Sequence, residues 1–383
     1  MTPVTAHSMS TPPQWVHQLP PDFYRQAPKL RPPFDPAMMF TVWVDLAVRT
    51  GLSAYMAGWS FPFGYPGASL GHTLRGERCS HSGDDAQVFH QPRPLPAFTV
   101  TEAARPKGVE GGCFEMIQWT SNYQAANHDS HDNNDAAVAW CWRHGDRPRP
   151  TIVLVHGFLA PTWELNEFYL GSRFLYELGC DVVLKTLPHH GPRSRSAKDV
   201  SGMDFVSTGI DALNHAMVQS TYDIRTLLDI LQQRGVESFG LTGVSLGGYT
   251  SALMAGLEPR FQFVMPLVPL VSLPDAMMEW KPLDTVIKTV MRWYGVSMQD
   301  VRATMAFHSP LSRPALLPPE RLLIIGGMGD RLATPRHAET LQQHWGDCGL
   351  HWYAGAHALP RQQNKTNQVK QAFLQRIGFL DAA

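Results

Sequence analysis

From residue 112 onward the chain alternates short apolar runs with segments of helix length, and few architectures tolerate that pattern. The runs are 151–155 (TIVLV), 181–186 (DVVLKT), 239–244 (FGLTGV), 261–267 (FQFVMPL), 321–325 (RLLII) and 350–354 (LHWYA). Helices are expected at 166–178, 204–233, 246–257, 335–345 and 368–379. Runs apolar at nearly every position suit strands covered on both faces. The alternation therefore predicts an α/β chain with a mostly parallel sheet between two helical layers. Residues 113–123 (CFEMIQWTSNY) and 137–144 (AVAWCWRH) flank the polar stretch AANHDSHDNNDA. They predict a hairpin that adds antiparallel strands at one edge.

The 383 residues suffice for one large α/β domain with an extension, or for two domains. With 44% hydrophobic and 17% charged residues the chain can bury a sizeable core. A net charge of −1 with no basic run argues against a nucleic-acid partner. The five cysteines, Cys79, Cys113, Cys141, Cys180 and Cys348, include no CxxC pair, so a zinc ribbon or thioredoxin-like site is not expected. Cys113 and Cys141 lie on the two hairpin strands and are the pair for which a bridge is conceivable; free thiols are the expectation.

The first 111 residues read as an extension to an α/β domain over 112–383. Residues 1–36 are rich in proline and polar residues and predict an extended or disordered start. They lack the basic-then-apolar pattern of a secretory signal, which makes a cytoplasmic location the default expectation. Residues 37–58 predict a helix, within the most apolar long stretch of the chain, 36–61. Asp45 and Arg49 sit mid-segment, so a transmembrane span is not expected. A helix docked on the main domain is the reading, with contact at a membrane surface as the alternative. Residues 60–112 predict a long irregular arm.

A different break comes at 270–317, where the strand–helix alternation stops. Apolar spacing at Val286, Val290 and Trp293, and Ser297 followed by Asp300 as an N-cap signal, predict a small helical insertion. Its position, just before a late strand, would let it cover a site as a lid.

Gly243-Val244-Ser245-Leu246-Gly247-Gly248 fits G-x-S-x-G, with a strand running into it and an apolar helix running out. That setting is what a nucleophile elbow requires. The turn leaves no room for side chains two residues either side of the serine, and it raises the hydroxyl at the carboxyl edge of the sheet. Serine is a poor nucleophile until an imidazole takes its proton. His357, in the Gly-Ala-His that follows the last strand, is the expected base. His351 opens that strand and would lie at the wrong end. Asp330, in Gly-Gly-Met-Gly-Asp after the run 321–325, is the expected acid, with Asp275 as the alternative. It would fix the imidazole tautomer and stabilise the imidazolium.

The run 151–155 ends in His156-Gly157-Phe158, so the N–H groups of Phe158 and Leu246 are the expected oxyanion-hole donors. His156 reads mainly as a loop-holding residue, and as a substrate contact only secondarily. His190 and Arg193, in LPHHGPR, either contact substrate or organise their loop. His128, Asp129, His131, Asp132 and Asp135 match neither an EF-hand nor an HExxH spacing and read as a solvated turn. No metal and no cofactor is expected.

The motifs VHGF, GVSLGG, GGMGD and GAH, in that order over about 112–383, resemble the α/β-hydrolase superfamily. The resemblance implies a mostly parallel eight-stranded sheet with helices on both faces and a Ser245–Asp330–His357 triad. The serine nucleophile argues against dehalogenases and epoxide hydrolases, which use aspartate. The leading expectation is an esterase acting on a small-molecule carboxylic ester, with an apolar or lipid-like acyl group. A peptidase, amidase or thioesterase on the same triad is the alternative, and a non-catalytic binding protein of the same fold is a third.

Overall fold

The computed structural model describes residues 12–26, 30, 35–60, 88–90, 93–123, 133–145, 147–195, 200–207 and 209–382. Nine strands form one sheet in the order β1-β2-β3-β5-β4-β6-β7-β8-β9. β1 (Phe98–Glu102), β2 (Cys113–Thr120) and β3 (Ala136–Arg143) are antiparallel to their neighbours. The other six run parallel: β4 (Thr151–Val155), β5 (Asp181–Lys185), β6 (Phe239–Val244), β7 (Phe261–Leu267), β8 (Leu323–Gly327) and β9 (Gly349–Tyr353).

One strand exceeds the expected eight. It is β1, which comes from the arm read as irregular and pairs Phe98 with Trp119 through Glu102 with Glu115. Its FTVTE sequence is exposed at four of its five positions, so burial imposes no apolar pattern for a reader to detect. β4, β5, β6 and β8, by contrast, are buried at every position, which is why they are dominated by apolar and small residues, with Asp181 and Lys185 at the two ends of β5 as the charged exceptions.

Alternate residues of the central strands feed two cores. Val153, Val183 and Leu241 face one side, and Ile152, Leu154, Val182 and Leu184 face the other. In chain order the helices are α1 (Trp15–Gln18), α2 (Pro36–Ser60), α3 (Trp163–Leu170), α4 (Ser172–Glu177), α5 (Met203–Ser207) and α6 (Ile210–Gln233). They continue with α7 (Leu246–Ala255), α8 (Leu273–Glu279), α9 (Leu283–Tyr294), α10 (Met298–Met305), α11 (Pro335–His344) and α12 (Gln363–Arg376). α6 and α7 cover the first face; α3, α4 and α12 cover the second.

Two expected helices are each broken by a glycine. Gly171, at φ 70°, separates α3 from α4, and Gly209, at φ 117°, precedes α6. Both φ values are ones that β-carbon-bearing residues rarely adopt. The insertion between β7 and β8 is helical as expected, and Ser297 and Asp300 form a complete capping box at the start of α10. Trp293 departs from the apolar stripe inferred for this segment: it is 76% exposed, while Val286 and Val290 face inward.

The N-terminal extension is stitched to the α/β body. Arg302 donates to the carbonyls of Leu19 (3.0 Å) and Pro20 (2.8 Å), and Arg336 donates to those of Phe23 and Tyr24. Trp15 donates its indole N–H to Ser312 Oγ at 2.7 Å. Cys113, Cys141, Cys180 and Cys348 are free thiols. The strand register sets Cys113 opposite Arg143 and Cys141 opposite Glu115, which denies the hairpin its conceivable bridge. Among the described residues, no helix is long and apolar enough to cross a membrane.

Candidate active site

β6 delivers Ser245 at φ 58° and ψ −112°, a strained left-handed turn, and α7 begins at the next residue. The turn is locked from both sides: the Ser245 N–H donates to the Leu267 carbonyl (3.0 Å) and the Ser245 carbonyl accepts from Tyr249 N–H (2.8 Å). A β-carbon on Gly243 would collide with the Gly247 carbonyl, and one on Gly247 with the Val155 carbonyl. These two backbone approaches are the reason for glycine on either side of the serine. The positive end of α7 points at the same place.

The acid and base candidates come from the turns after β8 and β9. Asp330 Oδ2 lies 2.7 Å from His357 Nδ1. Its Oδ1 accepts the N–H groups of Leu332 (2.8 Å) and Ala333 (2.7 Å), which fixes the carboxylate's orientation. The two turns are tied together, with Gly329 N–H donating to the Gly355 carbonyl at 2.9 Å. Burial by itself pushes the His357 imidazolium toward losing its proton. The Asp330 charge, the Asp330 hydrogen bond and the Asp45 charge outweigh that, and the pKa lies above the ordinary histidine value.

Asp275, the competing acid, is committed elsewhere. Its carboxylate takes Arg302 Nε at 2.9 Å and Nη2 at 2.7 Å, with all three groups buried, and also accepts from Ser272 Oγ. His351 lies within β9, paired in register with Ile325.

Ser245 and His357 line one cavity of about 270 Å³, together with Phe158 and Leu246. The loop after β4 approaches the elbow closely: a β-carbon on Gly157 would stand 3.5 Å from Ser245 Cβ. This brings the residues of both expected oxyanion donors to the serine. Most of the wall is apolar, from Leu270, Leu273 and Met277 of the insertion and Val48, Leu52 and Met56 of α2. Met56, Val206, Leu213 and Met277 also line a second apolar chamber of about 110 Å³ between α9, α10 and the body.

His156, His190 and Arg193 were candidates for substrate contact. All three are fully buried and absent from the lining of the Ser245 cavity. His156 accepts from the Leu187 N–H (2.9 Å) at Nε2 and bonds the Gly157 carbonyl (2.8 Å) through Nδ1, bracing the loops after β4 and β5. Burial chiefly drives its pKa down to about 4. His190 turns Nδ1 onto the Pro188 carbonyl at 2.7 Å. Arg193 spends its guanidinium on Asp223 (2.7 Å), the Thr186 carbonyl (3.1 Å) and the Asn134 carbonyl. Of the polar turn cluster, His128, Asp129, His131 and Asp132 lie outside the described residues; Asp135 ends a short 3₁₀ turn before β3.

The sequence leaves open whether the N-terminal arm covers the site, docks a partner or packs on the back of the sheet, and the structure puts α2 in the cavity wall. Its three wall residues carry no motif, and a docked apolar helix looks the same whether it covers a core or a site.

Residues 162–314 match the protein family described as alpha/beta hydrolase domain containing 18. Two uncharacterized proteins of Mycobacterium tuberculosis, from strains CDC 1551 / Oshkosh and ATCC 25618 / H37Rv, are each 33% identical to the chain over 275 residues. The match takes in 66% of this chain and spans only 60% of the length of those relatives. Among solved structures, acetyl xylan esterase 1 from Thermoanaerobacterium sp. JW/SL YS485 is similar with a TM-score of 0.53 at 17% identity, covering 74% of this chain and 88% of that one. An acetyl xylan esterase from Paenibacillus sp. R4 gives 0.56 at 14% identity, covering 80% and 94%. At these identities the two structures speak for the fold.

Proposed function

We propose that the chain, which has the α/β-hydrolase fold, is a serine esterase acting on carboxylic esters with an apolar acyl group. The observation that carries this reading is the convergence of Ser245 and the Asp330-bound imidazole of His357 on a single apolar cavity. In the proposed reaction His357 Nε2 takes the Ser245 proton as Oγ attacks the ester carbonyl. The oxyanion is held by the N–H groups of Leu246 and Phe158. His357 then protonates the leaving alkoxide, and water activated by the same imidazole releases the acid from the acyl-enzyme.

The wall chemistry supports an ester over a peptide. Among the described residues lining the cavity, none is Asp, Glu, Lys or Arg, so no lining charge is available to anchor a peptide terminus. The second chamber extends the apolar surface beyond the reacting carbon through methionine-rich walls, which adapt to irregular chains.

A fluorophosphonate probe tests the nucleophile without knowledge of the substrate. Rapid adduct formation on Ser245, abolished in Ser245→Ala and His357→Ala, is the expected result. Folded wild-type protein that forms no adduct would overturn the reading. A series of p-nitrophenyl esters from acetate to long chains then tests the acyl class. The expected kcat/KM rises beyond acetate, whereas a maximum at acetate or faster cleavage of aminoacyl anilides would exclude the apolar-ester assignment.

A further inference from the structure

We propose that Asp45, on helix α2 of the N-terminal extension, is a positioning residue: its carboxylate clamps together the loops that carry Asp330 and His357 and holds the histidine in its working orientation. This rests on the triad reading above.

Asp45 is fully buried on a largely apolar helix. Its Oδ2 accepts the peptide N–H groups of Arg331 (2.9 Å) and His357 (2.8 Å), and its Oδ1 accepts that of Ala358 (2.8 Å). One side chain thus bridges the residue after the candidate acid, the candidate base itself and the residue after it. Those loops follow different strands, and a carboxylate is the group that can accept from all of them at once. An ionised group buried against three peptide dipoles is costly unless every oxygen is satisfied, and here each one is.

The helix is pinned so that the carboxylate stays in place. Arg49 donates to the Arg331 carbonyl (3.0 Å), Ser53 Oγ accepts the Leu283 N–H (3.0 Å), and Asp35 pairs with Arg361 (2.6 Å). Met38 and Val42 press on Gly329, where a β-carbon would come within 2.7 Å of each. Over the next three turns the same helix presents Val48, Leu52 and Met56 to the cavity.

Asp45 also sets a second anion beside the His357 imidazole. Asp330 and Arg331 face it from the loop after β8, His357 from the loop after β9, Tyr353 from β9 and Tyr169 from α3; Arg49, on its own helix, is paired electrostatically with Glu279 of α8. Burial, and then repulsion by Asp330, push the Asp45 carboxyl up to about 6 against the opposing pull of His357 and the peptide N–H groups. On acidification both the charge of Asp45 and the neutral form of His357 are lost.

The test uses the full chain with Asp45→Asn and Asp45→Ser in parallel, so that one folded variant suffices, and Asp45→Glu to keep the charge while moving it. Ester turnover and fluorophosphonate labelling are measured against pH, and the His357 imidazole is titrated by NMR. The neutral variants are expected to lose about tenfold to a hundredfold in kcat, the scale of a misplaced catalytic group, with KM nearly unchanged. Their His357 midpoint falls to lower pH, because the imidazolium has lost one of its two anions, and the acid limb of the rate becomes shallower. Asp45→Glu keeps the midpoint high while kcat remains reduced. A wild-type midpoint and wild-type kcat per folded molecule in the neutral variants overturn the clamp, even if thermal stability drops. The NMR titration reads the clamp in a protein that labels nowhere, so failure of the triad and failure of Asp45 give different results.

Discussion

Two aspartates compete in this chain for the same role, and their partners decide between them. Asp330 lies 2.7 Å from His357, while Asp275 is held by Arg302 in a buried bidentate pair. The two should fail differently. Asp330→Asn removes the acceptor that fixes the histidine tautomer, and kcat is expected to fall about ten-thousandfold, the loss seen for the equivalent change in a serine protease triad, with the fold intact. Asp275→Asn leaves Arg302 buried without its carboxylate, at a cost of about 3–5 kcal/mol. Thermal or denaturant unfolding should detect that loss, while kcat per folded molecule stays within a few-fold of wild type. The pH dependence follows from His357. The proposed base works only when neutral and its pKa is raised, so activity is expected to fall as pH drops through that raised value and to be retained above it. A kcat/KM profile whose acid limb lies below the ordinary histidine range would contradict this assignment.

Helices outside the strand–helix alternation make much of the proposed substrate pocket. α8 and α2 both supply wall residues of the cavity, and four residues, Met56, Val206, Leu213 and Met277, line both it and the second chamber. Replacing Met277 with tryptophan should fill space at this shared wall. Turnover of long-chain esters is then expected to fall at least about tenfold, the discrimination a few methylenes provide in an apolar pocket, with acetate and butyrate esters little affected. Equal losses across the series would place the acyl chain elsewhere. The sequence disclosed these elements unequally. α9 and α10 announced themselves through amphipathic spacing and a capping box. β1 did not, because an exposed edge strand needs no apolar residues, and the splits at Gly171 and Gly209 look like glycines tolerated within a helix.

The extension and the α/β body share buried polar contacts, which ties stability to the first residues of the chain. Arg302 and Arg336 are held within the fold and give part of their guanidinium bonding to carbonyls between Leu19 and Tyr24. A chain lacking residues 1–110 would leave these donors unpaired, open one wall of the cavity and remove Asp45. Such a truncation is expected to be insoluble or, if recovered, to unfold well below wild type and to label at Ser245 far more slowly. Full activity in a soluble truncated protein would show that the extension has no part in the site.

The sequence alone was enough to determine the layered α/β architecture, the elbow at Ser245, the chain order of the candidate acid and base, and the helix at 37–58. Those features are local: strand burial on two faces demands apolar runs, and a sharp turn demands glycine at fixed offsets. Tertiary structure decided which aspartate meets the histidine and that His156, His190 and Arg193 brace loops rather than line the cavity. It also decided that Asp45 reaches across 312 residues of sequence to His357. Each of these is a choice of partner between segments far apart in the chain. A buried charge has its meaning set by the groups that satisfy it, and these are fixed only when the chain closes on itself.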